Sequence, residues 1–330
     1  MANCSTLPWV EKYRPTTCDD ISDQTNAIET VLRLVNKKQL PHLLFYGPPG
    51  TGKTSTILAI ARAYFGDKAG QMTLELNASD DRGIEVVRNE IQSFASSQRF
   101  FSTGYKLVIL DECDSMTKDA QFALRRVMER YTRHTRFCLI GNYASKIIPA
   151  LQSRCMKFRF SPFQSAIAQR RIIFISESEG LKLTPEGLMA IVKIARGDLR
   201  RACNLLQSCA LMRADLIDEN VVYSVAGRPR PSDIDDAIIS LLNDDLREGI
   251  RKIRQLMKGN GISLADFSAC LAEKLQEIHL PSNMRALIIS NLADIEVALS
   301  QVASERFQLQ ALVSAFMILK ARTCDTTHVD

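Results

Sequence analysis

The first 160 residues alternate short apolar runs with longer segments whose apolar positions recur at helical spacing. Residues 42–46, 73–76, 107–110 and 137–140 are apolar runs of the kind carried by strands buried on both faces, and each is followed by polar or glycine-rich residues. Residues 54–65 and 119–131 place apolar side chains three and four apart and predict helices. Strands alternating with helices predict an α/β fold, a parallel sheet with helices on both faces. Beyond residue 160 the pattern turns helical. Thr184-Pro185-Glu186 reads as an N-cap followed by proline at the first helical position, and about four helices fit between 165 and 225 without a convincing strand. Gly227-Arg228-Pro229-Arg230-Pro231-Ser232 reads as a linker. Helical spacing returns at 250–257, 265–275, 284–299 and 309–319. The breaks predict three domains: 1–160 (α/β), 161–227 (small and helical) and 228–330 (all-helical).

The chain has 330 residues, long enough for two or three cores, and its 46% apolar and 24% charged residues exclude wholesale disorder. No run approaches the ~18 apolar residues of a membrane span, so no membrane partner is expected. The opening Met1-Ala2-Asn3-Cys4 is not followed by the basic-then-apolar pattern of a secretion signal. Nine cysteines include no Cys-x-x-Cys pair, which supports neither a zinc site nor a disulfide framework and implies reduced thiols, as in cytosol or nucleus. The net charge of +5 is uneven. Residues 1–160 hold 22 basic and 16 acidic side chains, whereas 161–330 hold 20 and 21. Within 121–159 nine basic residues meet one acid, Glu129, a local excess that suits a polyanionic partner or a solvated face.

Gly47-Pro48-Pro49-Gly50-Thr51-Gly52-Lys53-Thr54 matches the phosphate-binding pattern G-x-x-x-x-G-K-[ST] between a predicted strand and a predicted helix. In such a loop the backbone N–H groups and helix N-terminus hold the β- and γ-phosphates, Lys53 adds a positive charge and Thr54 offers its hydroxyl to Mg²⁺. The run 107–110 ends in Asp111-Glu112, which puts Asp111 near the metal shell and lets Glu112 polarise an attacking water. Asn142, at the end of the 137–140 run, can reach that water or the γ-phosphate.

These motifs, in this order, resemble the AAA+ ATPases. Trp9-Val10-Glu11-Lys12-Tyr13-Arg14-Pro15, Leu76-Asn77-Ala78-Ser79-Asp80-Asp81-Arg82-Gly83, Ser153-Arg154-Cys155 and Gly197-Asp198-Leu199-Arg200-Arg201 narrow the match. They resemble the small subunits of replication factor C, the eukaryotic clamp loader, most of all the subfamily numbered subunit 3 in yeast and subunit 5 in human. The acidic box departs from the usual Asp-Glu-Ala-Asp in carrying Cys113, a small residue that tolerates burial.

The resemblance implies an AAA+ P-loop domain followed by a helical lid and a helical collar that mediates oligomerisation. It implies ATP and Mg²⁺ as cofactors, bound by Gly47, Pro48, Pro49, Gly50, Thr51, Gly52, Lys53, Thr54 and Ser55, with Thr54 and Asp111 on the metal and Glu112 and Lys53 in catalysis. Val10 and Arg14 would border the base, Asn142 and Arg200 would sense the γ-phosphate, and Arg154 would act in trans as an arginine finger on the adjacent subunit. Arg82 and Arg88 would meet DNA phosphates. Arg125, Arg126, Arg130, Arg133 and Arg136 would face a neighbour's nucleotide, and Phe100-Phe101 resembles an incomplete clamp-binding plug. The implied partners are other replication factor C subunits in a hetero-pentamer, the sliding clamp PCNA and primer-template DNA, in the nucleus. A nucleotide-binding scaffold subunit with little hydrolysis, and an AAA+ protein remodeller, remain open alternatives.

Overall fold

Three apolar strands, β1 (His42–Tyr46), β3 (Lys106–Asp111) and β4 (Thr135–Gly141), form the centre of a parallel sheet flanked by β2 (Thr73–Asn77) and β5 (Cys155–Arg159), in the order β2-β3-β4-β1-β5. The computed structural model describes residues 7–17, 25–37, 39–79, 84–96, 105–212, 216–278, 281–301 and 304–326. Because successive strand side chains point to opposite faces, the central strands feed two cores. Leu43, Phe45, Ile109 and Ile140 join Val31 of α2 (Thr25–Asn36) and Ile57 and Ile60 of α3 (Lys53–Phe65). Leu44, Val108, Leu110 and Leu139 join Ile91 of α5 (Ile84–Ser96) and Leu124, Val127 and Met128 of α6 (Lys118–Tyr131). The expected sheet with helices on both faces is present. The single-turn helices α1 (Trp9–Lys12), α4 (Ala69–Met72) and α7 (Pro149–Gln152) complete this part.

Two edge strands frame the sheet. β2 (Thr73–Asn77) lies where its apolar run predicts it, paired with β3 from Thr73↔Leu107 to Asn77↔Asp111. β5 (Cys155–Arg159) extends the expected four strands to five, pairing with β1 from His42↔Cys155 to Tyr46↔Arg159. Lys157 and Arg159 give β5 the charged pattern of an edge strand, which is why its apolar signal is weak. The order also brings the carboxyl ends of β1, β4 and β3 side by side, where open parallel sheets bind ligands.

Four helices follow: α8 (Ser165–Ser178), α9 (Pro185–Ala195), α10 (Leu199–Leu211) and α11 (Glu219–Ala226), as the spacing predicts. The 227–232 linker is shorter than its composition suggests. Gly227 ends α11 at φ 62°, a left-handed cap, but Pro231 already opens α12 (Pro231–Asn243). Proline costs nothing at the first helical position, where its missing N–H has no partner to lose. The remaining helices are α13 (Leu246–Asn260), α14 (Leu264–Glu277), α15 (Ser282–Ser300) and α16 (Glu305–Thr326). With α12 they close on a core that includes Leu241, Phe267, Leu271, Leu312 and Phe316. By contacts the chain forms two compact units, 1–181 with 191–207, and 182–190 with 208–330. Among the described residues no helix is long and apolar enough to cross a membrane.

His42 sits at the base of the sheet. It is 8% exposed, its Nδ1 accepts from the Phe137 N–H at 3.2 Å, and burial with the nearby Arg136 lowers its pKa from 6.5 to about 4. The folded chain therefore keeps this imidazole neutral, while the unfolded chain protonates it below 6.5. Its contribution is complete above pH 6.5 and is lost as pH falls toward 4, costing about 3 kcal/mol in all. Denaturant unfolding at pH 7.5 and 4.5 should show that part of the loss vanish in His42→Asn, whose side-chain oxygen can serve Phe137. An acid profile identical to that of the unmutated chain would contradict this account.

Candidate functional site

The loop between β1 and α3 curls because glycine can. Gly50 stands at φ 67°, and a Cβ there would lie 1.7 Å from Asp198 Oδ1; at Gly47 it would lie 2.1 Å from the Phe160 carbonyl oxygen. A side chain at Gly47 would meet backbone and push the loop off its seat, and one at Gly50 would strain the left-handed turn and displace the Asp198 carboxylate. Lys53 opens α3 and is 8% exposed, with Nζ donating to the carbonyls of Gly47 (2.8 Å) and Pro48 (2.7 Å) and to Asn142 Oδ1 (3.2 Å). Burial foremost lowers its pKa, against the attraction of Asp111 and Asp114. The ammonium is thus a positive charge already stripped of much of its water, held at the mouth of a helix N-terminus. An anion is the natural complement.

Thr54 Oγ1 donates to Asp111 Oδ2 at 2.7 Å, joining the loop to the end of β3. A hydroxyl and a carboxylate oxygen at one point are the hard donors that Mg²⁺ accepts alongside phosphate and water, so these residues fit that ion. Glu112 follows at φ 55°. Its N–H donates to Asp111 Oδ1 at 2.8 Å, and its carbonyl accepts from the Ser115 hydroxyl at 2.7 Å. Asn142 follows β4, and its N–H and that of Tyr143 both donate to Asp114 Oδ2, at 3.1 and 3.2 Å. Asp114 therefore fixes the Asn142 turn, a role the acidic box conceals because its fourth residue looks like one more surface acid. Cys113 is buried, its thiol donating to the Leu110 carbonyl at 3.1 Å, and burial holds its pKa far above neutral, so it packs as an inert thiol.

These groups open on one cavity of about 340 Å³. Of the residues expected to bind nucleotide or metal, Val10, Arg14, Pro49, Gly50, Thr51, Gly52, Lys53, Thr54, Ser55, Asp111, Glu112, Asn142 and Arg200 line it. Gly47 and Pro48 stand behind it as the acceptors of Lys53. Arg14 Nε donates to Ser55 Oγ at 3.3 Å. Asp198 abuts Gly50 and caps α10 by accepting from the Arg201 N–H at 3.0 Å, which sets Arg200 at the cavity. The α8 residues Ile167, Arg170, Arg171 and Phe174 complete the wall. Asp198 is visible in sequence as part of the 197–201 box, though not its place against Gly50, whereas the α8 residues read as ordinary helix residues.

Arg154 stands apart from this cavity, between α7 and β5. It bonds Glu129 through Nη2 and the Ala150 carbonyl through Nη1 at 2.8 Å, and Glu129 also accepts from Arg125 Nε at 3.0 Å. The single acid of the basic stretch thus holds two of its arginines, and the hydrogen bond from Arg125 foremost, with the charge of both, lowers its pKa. Arg136, expected among the arginines that would face a neighbour's nucleotide, is bound within its own chain. It donates to the carbonyls of Leu40 and Thr132 and lies 3.7 Å over the Tyr105 ring, so it braces the sheet instead. Arg82 and Phe100-Phe101 lie outside the described residues, as does the side chain of Arg88 on α5.

Two family profiles match the chain: the ATPase family associated with various cellular activities over residues 43–163, and the replication factor C C-terminal domain over 229–315. Replication factor C subunit 3 of Saccharomyces cerevisiae is 46% identical, covering 94% of this chain and 92% of its own. Subunit 5 of Homo sapiens is 47% identical over 95% and 92%, and the probable subunit 5 of Dictyostelium discoideum 49% over 94% and 91%. Among solved structures, the RuvB Holliday junction branch migration motor of Thermotoga maritima superposes with a TM-score of 0.51 at 16% identity, covering 77% of this chain and 88% of that one. That likeness speaks for the fold alone.

Proposed function

The chain belongs to the replication factor C small subunits, within the AAA ATPase family, and from that premise we propose that it is an ATP-hydrolysing subunit of a clamp loader. In this reading it works inside a hetero-pentamer in the nucleus, opening the sliding clamp PCNA and placing it on primer-template DNA. The observation that carries the reading is the meeting of Lys53, Thr54, Asp111, Glu112 and Asn142 at three adjacent strand ends around one cavity.

Each residue then has a task suited to its chemistry. Lys53 exchanges its carbonyl acceptors for phosphate oxygens, and the amides of the 50–54 turn orient the same group. Thr54 and Asp111 hold Mg²⁺, which when bound supplies positive charge to the phosphate oxygens. Glu112 takes a proton from the attacking water while Asn142 orients it. Arg200 closes the lid side, and Val10 and Arg14 border the base. Arg154 serves the neighbouring subunit's site, and Arg82 and Arg88 meet phosphates of DNA without reading sequence.

The test is the ATPase of the reconstituted complex with and without primed DNA and clamp. Stimulation by the two together, several-fold above the basal rate, is the expected result. A rate raised by unfolded protein but indifferent to primed DNA and clamp would move the chain to the protein remodellers.

A further inference from the structure

The wall that carries Val10 and Arg14 is fastened by a carboxylate outside the cavity. α1 is one turn long, and a single turn in water does not hold itself. Its place is set by bonds to later parts of the same unit. Glu179, the residue that ends α8, accepts through Oε1 from Lys12 Nζ at 2.6 Å and from the Tyr13 hydroxyl at 2.7 Å. The Tyr13 ring meets Phe174 edge-on at 6.2 Å, Arg171 donates to the Tyr13 carbonyl, and the Trp9 N–H donates to Gln207 Oε1 at 3.1 Å.

The position of these bonds in the chain matters. Lys12 and Tyr13 lie between Val10 and Arg14, so one carboxylate grips the middle of a segment that lines the cavity through Val10, Glu11, Tyr13 and Arg14. The same α8 that ends in Glu179 lines the cavity beside this segment through Ile167, Arg170 and Phe174. By contrast, the bonds of Lys53 and Thr54 run to Gly47, Pro48, Asn142 and Asp111, none of which belongs to the segment. The bond from Arg14 Nε to Ser55 Oγ joins this segment to the start of α3.

We propose that Glu179 is a positioning residue for recognition of the nucleotide's base, holding Lys12 and Tyr13 so that Val10 and Arg14 form one wall of the base end while the phosphate end assembles without it. The proposal rests on the nucleotide-binding reading of this cavity. Lys12 and Glu179 are 29% and 19% exposed at their side chains, more sheltered than an ordinary surface pair, and one carboxylate serves two donors. Each partner favours the other's charge, raising the Lys12 pKa and lowering that of Glu179, so the grip persists across the neutral range. A fastener of this kind acts by limiting the freedom of the wall before the base arrives. Its loss therefore weakens ligands in proportion to how much of their binding uses that wall.

The experiment titrates the full-length chain with Mg²⁺-ATP and with inorganic tripolyphosphate, which has neither base nor ribose. In Glu179→Ala, ATP affinity should fall about tenfold, the scale of charge-assisted hydrogen bonds, while tripolyphosphate affinity stays as it was. Glu179→Gln, which can still accept from Tyr13, should recover part of the loss, and the preference for ATP over GTP should narrow in step. Lys12→Met is the second variant, removing one donor without touching α8, and should weaken ATP in the same selective way. Equal losses for both ligands would make Glu179 a general structural residue and overturn the proposal, as would unchanged ATP affinity in all three variants. Failure of tripolyphosphate to bind the unmutated chain would instead remove the phosphate-site reading and the proposal with it.

Discussion

In the proposed trans role, Arg154→Ala should lower turnover at the neighbour's site by about 10³–10⁵, the range a guanidinium delivered to a transferring phosphoryl group supplies, and leave nucleotide affinity of this chain's own cavity unchanged. Arg154 is outside the cavity, on the turn between α7 and β5, with its side chain about one-third exposed. From there it cannot be a ligand of the site its own chain builds without leaving its present bonds. It is parked on Glu129, an exposed acid that also holds Arg125, and an exposed pair of this kind contributes little to stability. Release toward a neighbour's phosphate is therefore cheap, whereas the charge delivered there is worth several kcal/mol in the transition state. The measurement is phosphate release by the reconstituted complex beside nucleotide binding by the single chain. Lost binding in the isolated chain, with turnover of the complex intact, would overturn the assignment in trans.

What the sequence reveals depends on whether a residue works through local pattern or through a distant partner. The central strands were legible because burial on both faces leaves unbroken apolar runs, and the phosphate loop because its glycines are demanded by backbone shape at fixed spacing. β5 was not, since an edge strand shows Lys157 and Arg159 to solvent and mimics a loop. Pro231 looked like a breaker and is a helix start. Within the site, Lys53, Thr54, Asp111 and Glu112 were legible from their motifs, and Asn142 from its place at a strand end. Asp198 is visible in its box but its partner is not, and neither are the roles of Asp114 and Glu179, because each acts on a residue far away in sequence and no local spacing encodes such a meeting. The basic stretch shows the same limit. Its charge count is visible in the chain, but only the fold reveals that Arg136 is spent on the Leu40 carbonyl and that Glu129 holds Arg125 and Arg154.

Glu112→Gln should leave ATP binding intact and lower turnover by about 10²–10⁴, the usual worth of a positioned general base. The binding half follows from how Glu112 is held. Its backbone is fixed twice over, by the N–H bond to Asp111 Oδ1 and by the Ser115 hydroxyl on its carbonyl. Those bonds keep a non-glycine residue at φ 55°, a conformation that costs on the order of 1–3 kcal/mol and persists only where surroundings enforce it. Glutamine matches glutamate in shape and tolerates the same backbone, so the loop, Lys53 and the Thr54–Asp111 pair keep their places. What the substitution removes is the capacity to accept a proton from water at the mouth of the cavity. Asp111→Asn provides the contrast, because that carboxylate also receives the Thr54 hydroxyl and the Glu112 N–H, and its loss should weaken Mg²⁺-dependent binding along with turnover. Parallel titrations of nucleotide binding and phosphate release by the assembled complex separate the two. Turnover in Glu112→Gln equal to that of the unmutated complex would mean that hydrolysis at this site contributes nothing, and would make the chain a nucleotide-binding scaffold for the catalysis of its neighbours.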